Sequence, residues 1–346
     1  MLAPMTSPTT SPSPVPLDLL VLGGTSWLGG AVARQARARG HRVTCLARGE
    51  SGTPPDGVTW VRADRAADGA YDEVAGRDWD SVVDVSWQPD LVRSALVALA
   101  GRAGHWVYVS SCSVYADDSL PGQAEDAAVH PAHQGSGEVA IEVYGPAKVA
   151  CEEAVVAAMG ADHSARVRAG LIGGYGDRSD RLGYWPARVD RAGDGAPVLV
   201  PPRDTPLQVV DVEDLAAWLV HVAEQRVAGV FNALGDVTTL GAVLQACEAA
   251  TGRRPSYVEV ADGWLDEQEV APWMGPESLP LWLPRPQYAG FMTRRNEAAH
   301  AAGLTLRSLQ ETVTASLAWE RERGVHRERR AGLSPAREAE LVAAAR

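Results

Sequence analysis

Short apolar segments alternate with helical segments over most of this chain, and no other feature restricts its fold as strongly. Strands are predicted at 17–22, 42–46, 58–62, 82–86, 105–110, 165–169 and 230–234, and helices at 27–39, 91–100, 144–159 and 240–251, with a strand-to-helix segment at 209–224. Such strands, separated by helices of about ten to fifteen residues, indicate βαβ units. The sequence therefore predicts an α/β fold with a doubly wound parallel sheet. The Gly-, Pro- and Arg-rich segment 173–206 is predicted to form loops.

The composition is typical of a soluble globular protein with a small-molecule partner. The 346 residues are 46% apolar and 22% charged, with a net charge of −12. Negative charge disfavours nucleic acid and anionic lipid as partners, and no apolar run is long enough to cross a membrane. The four cysteines are scattered and form no CxxC pair, which favours a reducing cytoplasm. The histidines lack the spacing of metal ligands, so no metal site is predicted.

A glycine-rich turn follows the first predicted strand and leads into the first predicted helix. It consists of Gly23, Gly24, Thr25, Ser26, Trp27, Leu28 and Gly29. Glycine lets the backbone approach a pyrophosphate closely, and the N-terminus of the helix offers free N–H donors and a positive dipole end. The turn therefore predicts the binding of a dinucleotide.

The ends of the second and third strands bear on which dinucleotide binds. NAD-binding folds usually place an acidic residue after the second strand, where it holds the ribose 2′-hydroxyl. This chain has Arg48 there, which favours the 2′-phosphate of NADP over NAD through a charge-assisted contact. Asp64 follows the third strand and is a candidate acceptor for the adenine amino group, with a turn-capping role as the alternative.

The only lysine of the chain, Lys148, stands four residues after Tyr144 on a predicted helix. A chain that otherwise uses arginine for every basic side chain is expected to keep a lysine where a compact ammonium is needed. Residues four apart share one face of a helix. Ser111 ends the fifth strand, at the edge where parallel sheets bind ligands. The candidate catalytic residues are therefore Ser111, Tyr144 and Lys148.

Four landmarks follow one another along the chain: the glycine-rich turn, Asp64, the serine-rich end of the fifth strand and the Tyr-x-x-x-Lys helix. With these landmarks in this order, the chain resembles an extended short-chain dehydrogenase/reductase, the superfamily of the sugar-nucleotide epimerases and dehydratases. The resemblance runs from residue 17 to about residue 323. It implies that Tyr144 exchanges a proton with the substrate oxygen while hydride moves to or from the nicotinamide. Lys148 would favour the ionised tyrosine and bind the nicotinamide ribose. Ser111 would orient the substrate, with Ser113 as an accessory. The helix of Tyr144 is the usual dimer face of the family, so its apolar residues, such as Val155 and Val156, would serve a homodimer or, as the alternative, pack against the sheet.

The resemblance also implies a division of the chain. Residues 1–16 are expected to be a disordered tail, and 17–170, with a return segment at 205–235, a Rossmann-type NAD(P)-binding domain. Residues 171–204 and 236–330 would form a smaller substrate-binding lobe, and 331–346 a C-terminal helix that starts at Pro335.

The chain departs from the family pattern in its turn and at the end of its fifth strand. Ser26 replaces the middle glycine of the turn, and its hydroxyl is small enough to fit and to donate to a phosphate. Dehydratases of the family carry an Asp-Glu pair after the hydroxyl residue, where this chain has Cys112 and Ser113. Dehydration is therefore not expected.

The substrate residues follow the family only in part. Sugar-nucleotide epimerases hold the substrate pyrophosphate with two arginines, and this chain has Leu207 at one position and Arg285 at the other. Arginines of the substrate loops could compensate, with solvated surface as the alternative reading: Arg178, Arg181, Arg188 and Arg203. Trp185 and the C-terminal tryptophans Trp264, Trp273 and Trp282 are candidates to line an apolar pocket, with hydrophobic core as the alternative.

Three functions compete at this stage. The first is an NADP(H)-dependent oxidoreductase that reduces a carbonyl or oxidises an alcohol with exchangeable cofactor. The second is an epimerase of a sugar or sugar nucleotide, which retains its cofactor. The third is an RNA-associated relative, since some chloroplast members with a similar turn bind transcript stem-loops. The acidic charge and the intact pair of Tyr144 and Lys148 disfavour this third function.

Overall fold

The computed structural model describes residues 15–346. The predicted tail lies outside the described residues except at Val15 and Pro16. The strands are β1 (Asp18–Leu22), β2 (Arg42–Leu46), β3 (Thr59–Val61), β4 (Ser81–Asp84), β5 (Trp106–Ser111), β6 (Ser164–Ala169), β7 (Leu171–Gly173), β8 (Pro197–Val200), β9 (Pro206–Leu207), β10 (Val209–Asp211), β11 (Gly229–Ala233), β12 (Thr238–Thr239), β13 (Ser256–Glu259), β14 (Ala271–Trp273) and β15 (Ser278–Pro280). The α-helices are α1 (Trp27–Ala38), α2 (Asp72–Ala75), α3 (Pro89–Leu99), α4 (Tyr144–Met159), α5 (Arg181–Ala192), α6 (Val212–Gln225), α7 (Leu240–Thr251), α8 (Asp262–Glu267), α9 (Glu297–Ala301), α10 (Leu309–Arg323) and α11 (Pro335–Ala344).

Seven strands form one parallel sheet in the order β11-β6-β5-β4-β1-β2-β3. The predicted doubly wound α/β fold is confirmed. β1 pairs with β2 on one side and with β4 on the other, so the direction of winding reverses beside it. Open parallel sheets bind ligands in the crevice beyond the carboxyl ends of the strands at such a reversal. This edge of the sheet carries the candidate site.

The side chains of β1 show that both faces of the sheet are covered. Leu19 and Val21 pack into one cluster with buried residues of α1 and α6. Leu20 and Leu22 pack into another with buried residues of α2, α3 and α4. Successive side chains of a strand point to opposite faces, so a strand that is apolar throughout must be covered on both.

A second core lies among α5, α7, α10, α11 and β8, with Trp185 and Trp282 completely buried in it. The prediction of loops over 173–206 is wrong at β8 and at α5, which continues through Pro186 although proline removes a backbone donor from a helix. Buried polar contacts fix the start of this helix, because the Asp180 carboxylate accepts hydrogen bonds from the Arg323 side chain (3.1 Å) and the Arg330 backbone (2.8 Å). The predicted division into two units at these boundaries stays a prediction.

The four cysteines, Cys45, Cys112, Cys151 and Cys247, are free and buried. Burial raises the pKa of the Cys112 thiol to about 12, so this residue at the end of β5 stays protonated at neutral pH and is not a nucleophile. Within residues 15–346, none of the helices has the length and apolar character that a membrane span requires.

Candidate active site

The glycine-rich turn joins β1 to α1 and leaves no room for side chains between its two arms. Gly23 has a φ of +90°, which glycine adopts without strain. A Cβ on Gly24 would lie 2.4 Å from the Cys45 sulfur, and one on Gly29 would lie 2.2 Å from the Gly23 carbonyl oxygen. These glycines therefore press the N-terminus of α1 against the sheet. The free N–H groups at this helix end form a cradle that fits a dinucleotide pyrophosphate.

Ser26 is the N-cap of α1. Its hydroxyl donates to the Gly23 carbonyl (2.8 Å) and accepts from the Gly29 backbone N–H (3.2 Å). The proton that could serve a phosphate is thus already used within the turn. The serine that replaces the family's glycine stabilises the helix start, as N-cap serines commonly do. The neighbouring residues of the turn, Thr25, Trp27 and Leu28, line the cleft beyond the sheet, and Leu28 also packs into the core.

A cavity of about 620 Å³ lies beside the turn, between the ends of β2, β3 and β4. Its lining includes Arg48 and Asp64, so the structure brings both predicted residues to one place. The Arg48 guanidinium is 3.0 Å from Glu50 and 4.0 Å from Asp64, and all three side chains are exposed. Asp64 also accepts from the Ala66 backbone N–H (3.0 Å), so it caps a turn with one oxygen and faces the cavity with the rest of its carboxylate.

The cavity also borders a buried ion pair that the sequence did not reveal. Arg65 lines the cavity and binds both oxygens of Asp84 at 2.8 Å. It also donates to the Tyr71 hydroxyl (3.0 Å) and the Leu91 carbonyl (2.7 Å). Asp84 is fully buried at the end of β4. The pair holds the ends of β3 and β4 together under the cavity.

Lys148 is buried on α4 and donates to the carbonyls of Val109 (2.6 Å) and Ser86 (3.1 Å). These contacts tie the helix to the carboxyl ends of β4 and β5. An ammonium has three donors, and the two carbonyls use two of them. Lys148 is also a lining residue of the cleft that contains Tyr144, and its ammonium nitrogen is 5.8 Å from the centroid of the Tyr144 ring. A third donor is therefore available for a ligand in the cleft.

Tyr144 is the first residue of α4, and Ser111 and Ser113 lie opposite it in the same cleft. The Ser111 hydroxyl accepts from the Ser113 backbone N–H (3.1 Å) and donates to the Ser113 hydroxyl (3.2 Å). Gly145 makes this closeness possible, because a Cβ there would lie 2.2 Å from the Ser113 carbonyl oxygen. The Tyr144 ring packs 5.4 Å from Trp87, centroid to centroid. The three predicted catalytic residues thus share one cleft.

The cleft has a volume of about 1840 Å³ and shares five lining residues with the neighbouring cavity: Thr25, Ser26, Glu50, Ser51 and Val85. The far wall of the cleft includes residues that the sequence did not identify as site residues: Asp177, Met274, Phe291, Met292 and Trp319. It also includes Trp273, one of the C-terminal tryptophans that were candidates to line an apolar pocket. Apart from Asp177, these side chains are apolar, and an apolar surface opposite a tyrosine and a lysine suits an organic substrate.

Two of the proposed substrate residues lie elsewhere. Trp185 is completely buried and donates its indole N–H to the Pro280 carbonyl (3.0 Å), so it belongs to the second core. Arg285 pairs with Asp204 and Asp262, each at 3.2 Å, and does not line the cleft. Trp273, and not Trp185, lines the cleft. The helical periodicity of residues 181–192 could have identified Trp185 as a core residue, but Pro186 obscures this pattern in the sequence.

A doubly wound parallel sheet, a glycine cradle at its point of reversal and a Tyr-x-x-x-Lys helix beside it define a dinucleotide-dependent enzyme of the short-chain dehydrogenase/reductase type. The model of the NAD dependent epimerase/dehydratase family matches residues 19–233. The chain belongs to this family, whose members are NAD(P)-dependent enzymes. No curated protein matches the sequence significantly.

Solved structures of similar fold are numerous. A Burkholderia cenocepacia protein classed provisionally as an epimerase is 20% identical, with a TM-score of 0.67 over 90% of this chain and 99% of its own. The Bordetella bronchiseptica enzyme WbmH, solved with NAD+, is 17% identical, with a TM-score of 0.64 over 90% of this chain and 100% of its own. UDP-N-acetylglucosamine 4-epimerase from Bacillus cereus is 18% identical, with a TM-score of 0.62 over 88% and 99%. At these identities the likeness shows the fold.

Proposed function

We propose that this protein is an NADP(H)-dependent oxidoreductase that interconverts a carbonyl and a hydroxyl group of a small molecule. The observation that carries the proposal is the arrangement of Ser111, Tyr144 and Lys148 around one cleft beside the dinucleotide cradle. A bound NADPH supplies a hydride, and bound NADP+ accepts one. The residues of the chain supply the proton, the orientation and the exclusion of water.

Tyr144 would handle the proton. In the reductive direction its phenol gives a proton to the substrate oxygen as that oxygen gains negative charge, and in the oxidative direction it takes the proton back. The neighbouring Lys148 ammonium stabilises the phenolate left behind, since an opposite charge nearby favours the ionised form. Ser111 would donate a hydrogen bond to the same substrate oxygen and exchange its present contact with Ser113 for it.

The nucleotide would be held by the glycine cradle at its pyrophosphate and by Arg48 and Asp64 at its adenosine end. Arg48 is the residue that favours NADP, because a 2′-phosphate can accept hydrogen bonds from its guanidinium. Glu50 opposes this contact, since its carboxylate lies 3.0 Å from the same guanidinium. The Glu50 side chain is 68% exposed, so it can turn away when a phosphate arrives.

Arg48 and Glu50 give opposite expected effects on cofactor choice. We expect Arg48→Ala to weaken NADPH binding about 10- to 100-fold, the size of a charge-assisted contact, and to leave NADH binding nearly unchanged. Glu50→Gln should tighten NADPH binding a few-fold, because it removes a competing negative charge. Both are measured by fluorescence titration of the nucleotide-free protein. Arg37→Ala, whose guanidinium binds the Gly57 carbonyl away from the cavity, is the matched control. Equal NADPH affinity in Arg48→Ala and wild type would refute the NADP preference.

An epimerase is the second candidate, and contacts that close over the cofactor site favour it. The Trp27 indole donates to the Tyr175 carbonyl (2.9 Å) and so bridges the cradle and the cleft wall. Gln88 exchanges two hydrogen bonds with the backbone of Val139 (3.0 and 2.8 Å), which brings that segment over the cavity. An epimerase must retain its cofactor between oxidation and reduction, and such a cover would help. Nucleotide that remains bound through purification would favour this candidate.

A further inference from the structure

Trp273 lies in a strained turn at the end of β14. Its φ is +66°, a left-handed conformation that bulky residues rarely adopt. The backbone N–H of Met274 donates to the carbonyl of Pro272 (2.8 Å), which closes a three-residue turn with Trp273 at its centre. A turn of this kind with a positive φ at its centre is the rare and strained form. Such strain persists only where the surroundings fix it, and it clusters at ligand sites.

The surroundings hold Trp273 from several sides. Its backbone N–H donates to the carbonyl of Trp282 (2.9 Å), which is completely buried in the second core. The Phe291 ring meets the Trp273 ring edge-on, with centroids 5.4 Å apart, and the central carbon of the Arg181 guanidinium lies 5.3 Å from the Trp273 centroid. The ring is half-buried, since it packs in part against the second core and in part lines the cleft. A large aromatic surface is thus fixed in the wall of the cleft.

Three further large apolar side chains of the same cleft are exposed. Ile141 lies just before α4, Tyr175 follows β7 and Met274 follows β14, so they come from three separate segments. Exposed apolar side chains that are scattered singly need no explanation, whereas a group of them around one cleft marks a surface that an apolar ligand covers. The opening of the cleft therefore matches its aromatic wall.

The formal charges of the cleft lining cancel. Among the described residues, the lining holds five carboxylates and five cations: Glu50, Asp56, Glu142, Asp177 and Glu213, and Arg34, Lys148, Arg178, Arg181 and Arg330. Arg285 lies outside the cleft and is bound by Asp204 and Asp262. A lining without net charge offers no field that would concentrate a strongly anionic substrate such as a nucleotide sugar. It favours an uncharged substrate.

Arg181 connects the aromatic surface to the reacting centre. Burial lowers the pKa of its guanidinium, and the charges of Asp177 and Tyr144 partly offset this effect, so Tyr144 lies near it. The same guanidinium stacks on Trp273. Trp273 and Tyr144 are therefore both neighbours of one arginine head group, close enough for one small molecule to touch both.

We propose that Trp273 binds an aromatic ring of the substrate, and that the substrate is an uncharged aryl aldehyde or ketone, or the corresponding alcohol. The ring would pack on Trp273 beside Phe291, and the flexible side chains of Met274 and Met292 would adapt to its outline. The carbonyl of the same molecule would reach Tyr144. Hydride from NADPH then adds to the carbonyl carbon while Tyr144 gives its proton to the oxygen, which yields the alcohol and NADP+. The inference rests on the proposed function and names its substrate class.

The test is NMR titration of the full-length protein, in saturating NADP+, with acetophenone and with its saturated counterpart cyclohexyl methyl ketone. NADP+ has no hydride to give, so both ketones bind without reacting. Wild type should bind acetophenone about 2- to 10-fold more tightly than the saturated ketone, which is the size of an aromatic contact beyond buried area. Trp273→Ala should bind acetophenone at least about 10-fold more weakly and lose this preference, whereas Trp273→Phe should keep it. Trp264 also packs against the second core but lines neither cavity, so Trp264→Ala is the matched control and should bind as wild type does.

Trp273→Gly separates binding from packing. Glycine adopts a φ of +66° without strain and alanine does not. The glycine variant should therefore melt at a higher temperature than Trp273→Ala and yet lose as much acetophenone affinity. A tryptophan that served packing alone would give variants whose affinity follows their stability.

Equal acetophenone affinity in Trp273→Ala and wild type, or no acetophenone binding by wild type, would overturn the inference. Tighter binding of UDP-glucose, a strongly anionic nucleotide sugar, than of acetophenone would overturn it as well. If NADP(H) binds and acetophenone does not, only the inference fails. If NADP(H) does not bind at all, the proposed function fails, and acetophenone titration of nucleotide-free wild type against Trp273→Ala still decides the role of the tryptophan.

Discussion

Tyr144→Phe is expected to lower the rate of hydride transfer by about 10³-fold while NADPH binds as it does to wild type. The substitution removes one oxygen from a residue at the start of α4 and keeps the ring that packs against Trp87. Positioned acid–base groups contribute typically 10²- to 10⁴-fold, and Ser111 cannot replace the phenol because a serine hydroxyl is a far weaker acid. The rate is measured by single-turnover NADPH oxidation with the carbonyl compound that wild type reduces fastest in a panel.

Two controls make the result specific. Trp87→Phe removes part of the packing against Tyr144 but no oxygen at the reacting centre, so its rate should stay within about 10-fold of wild type, well short of the loss of a positioned acid–base group. Titration with NADPH checks that the cofactor site of Tyr144→Phe is intact. A Tyr144→Phe protein that reduces the same compound at the wild-type rate would remove Tyr144 from the mechanism.

Asp84→Ala is expected to lower the free energy of unfolding by about 3–5 kcal/mol, because it leaves the buried Arg65 guanidinium without its counter-charge. Asp84 is fully buried and the Arg65 side chain is 7% exposed, so the guanidinium loses its partner in a largely desolvated position. The measurement is urea unfolding of the nucleotide-free protein, followed by tryptophan fluorescence. The tryptophan Trp79 lies in the same core cluster as Tyr71, the other partner of Arg65, and reports on this region.

The matched control is Asp78→Ala, which breaks the exposed pair of Asp78 and Arg102 and should leave the unfolding free energy unchanged within error. The double substitution Arg65→Met with Asp84→Leu should recover most of the stability, since replacing both members of a buried pair removes the unpaired charge. If Asp84→Ala were as stable as Asp78→Ala, the pair would not support the end of the sheet.

The parts of the fold that the sequence predicted best are those whose local pattern agrees with their packing. β2 and α4 were predicted to the residue, since β2 is buried from its second residue onward and α4 ends at Gly160, whose φ is +82°. α5 was missed because Pro186 argues locally against a helix. Burial of Trp185 and the ion pairs of Asp180 outweigh that local cost, and they involve partners far away in the chain.

The candidate site divides in the same way. The glycine cradle, Ser111, Tyr144 and Lys148 could be found because each follows from a short motif at a strand end or on a helix. The partners of Arg65, Arg181 and Arg285 could not, since they depend on which loops meet beyond the sheet. The Arg181 guanidinium stacks on the Trp273 ring, whereas the Arg285 guanidinium donates a hydrogen bond to the Asp262 carboxylate. Because the chain has 32 lysine and arginine residues, the presence of an arginine in a loop does not by itself distinguish a binding site from solvated surface.

The most direct test of the central claim is the binding of a nicotinamide dinucleotide to the intact chain. The protein is denatured to release and identify any nucleotide by mass, and the nucleotide-free protein is then titrated with NADPH and with NADH. We expect reversible NADPH binding at about one site per chain, tighter than NADH binding, followed by hydride transfer to a carbonyl compound. Binding of neither nucleotide by a folded protein would contradict the assignment of the cradle, Tyr144 and Lys148 as the active site of an oxidoreductase.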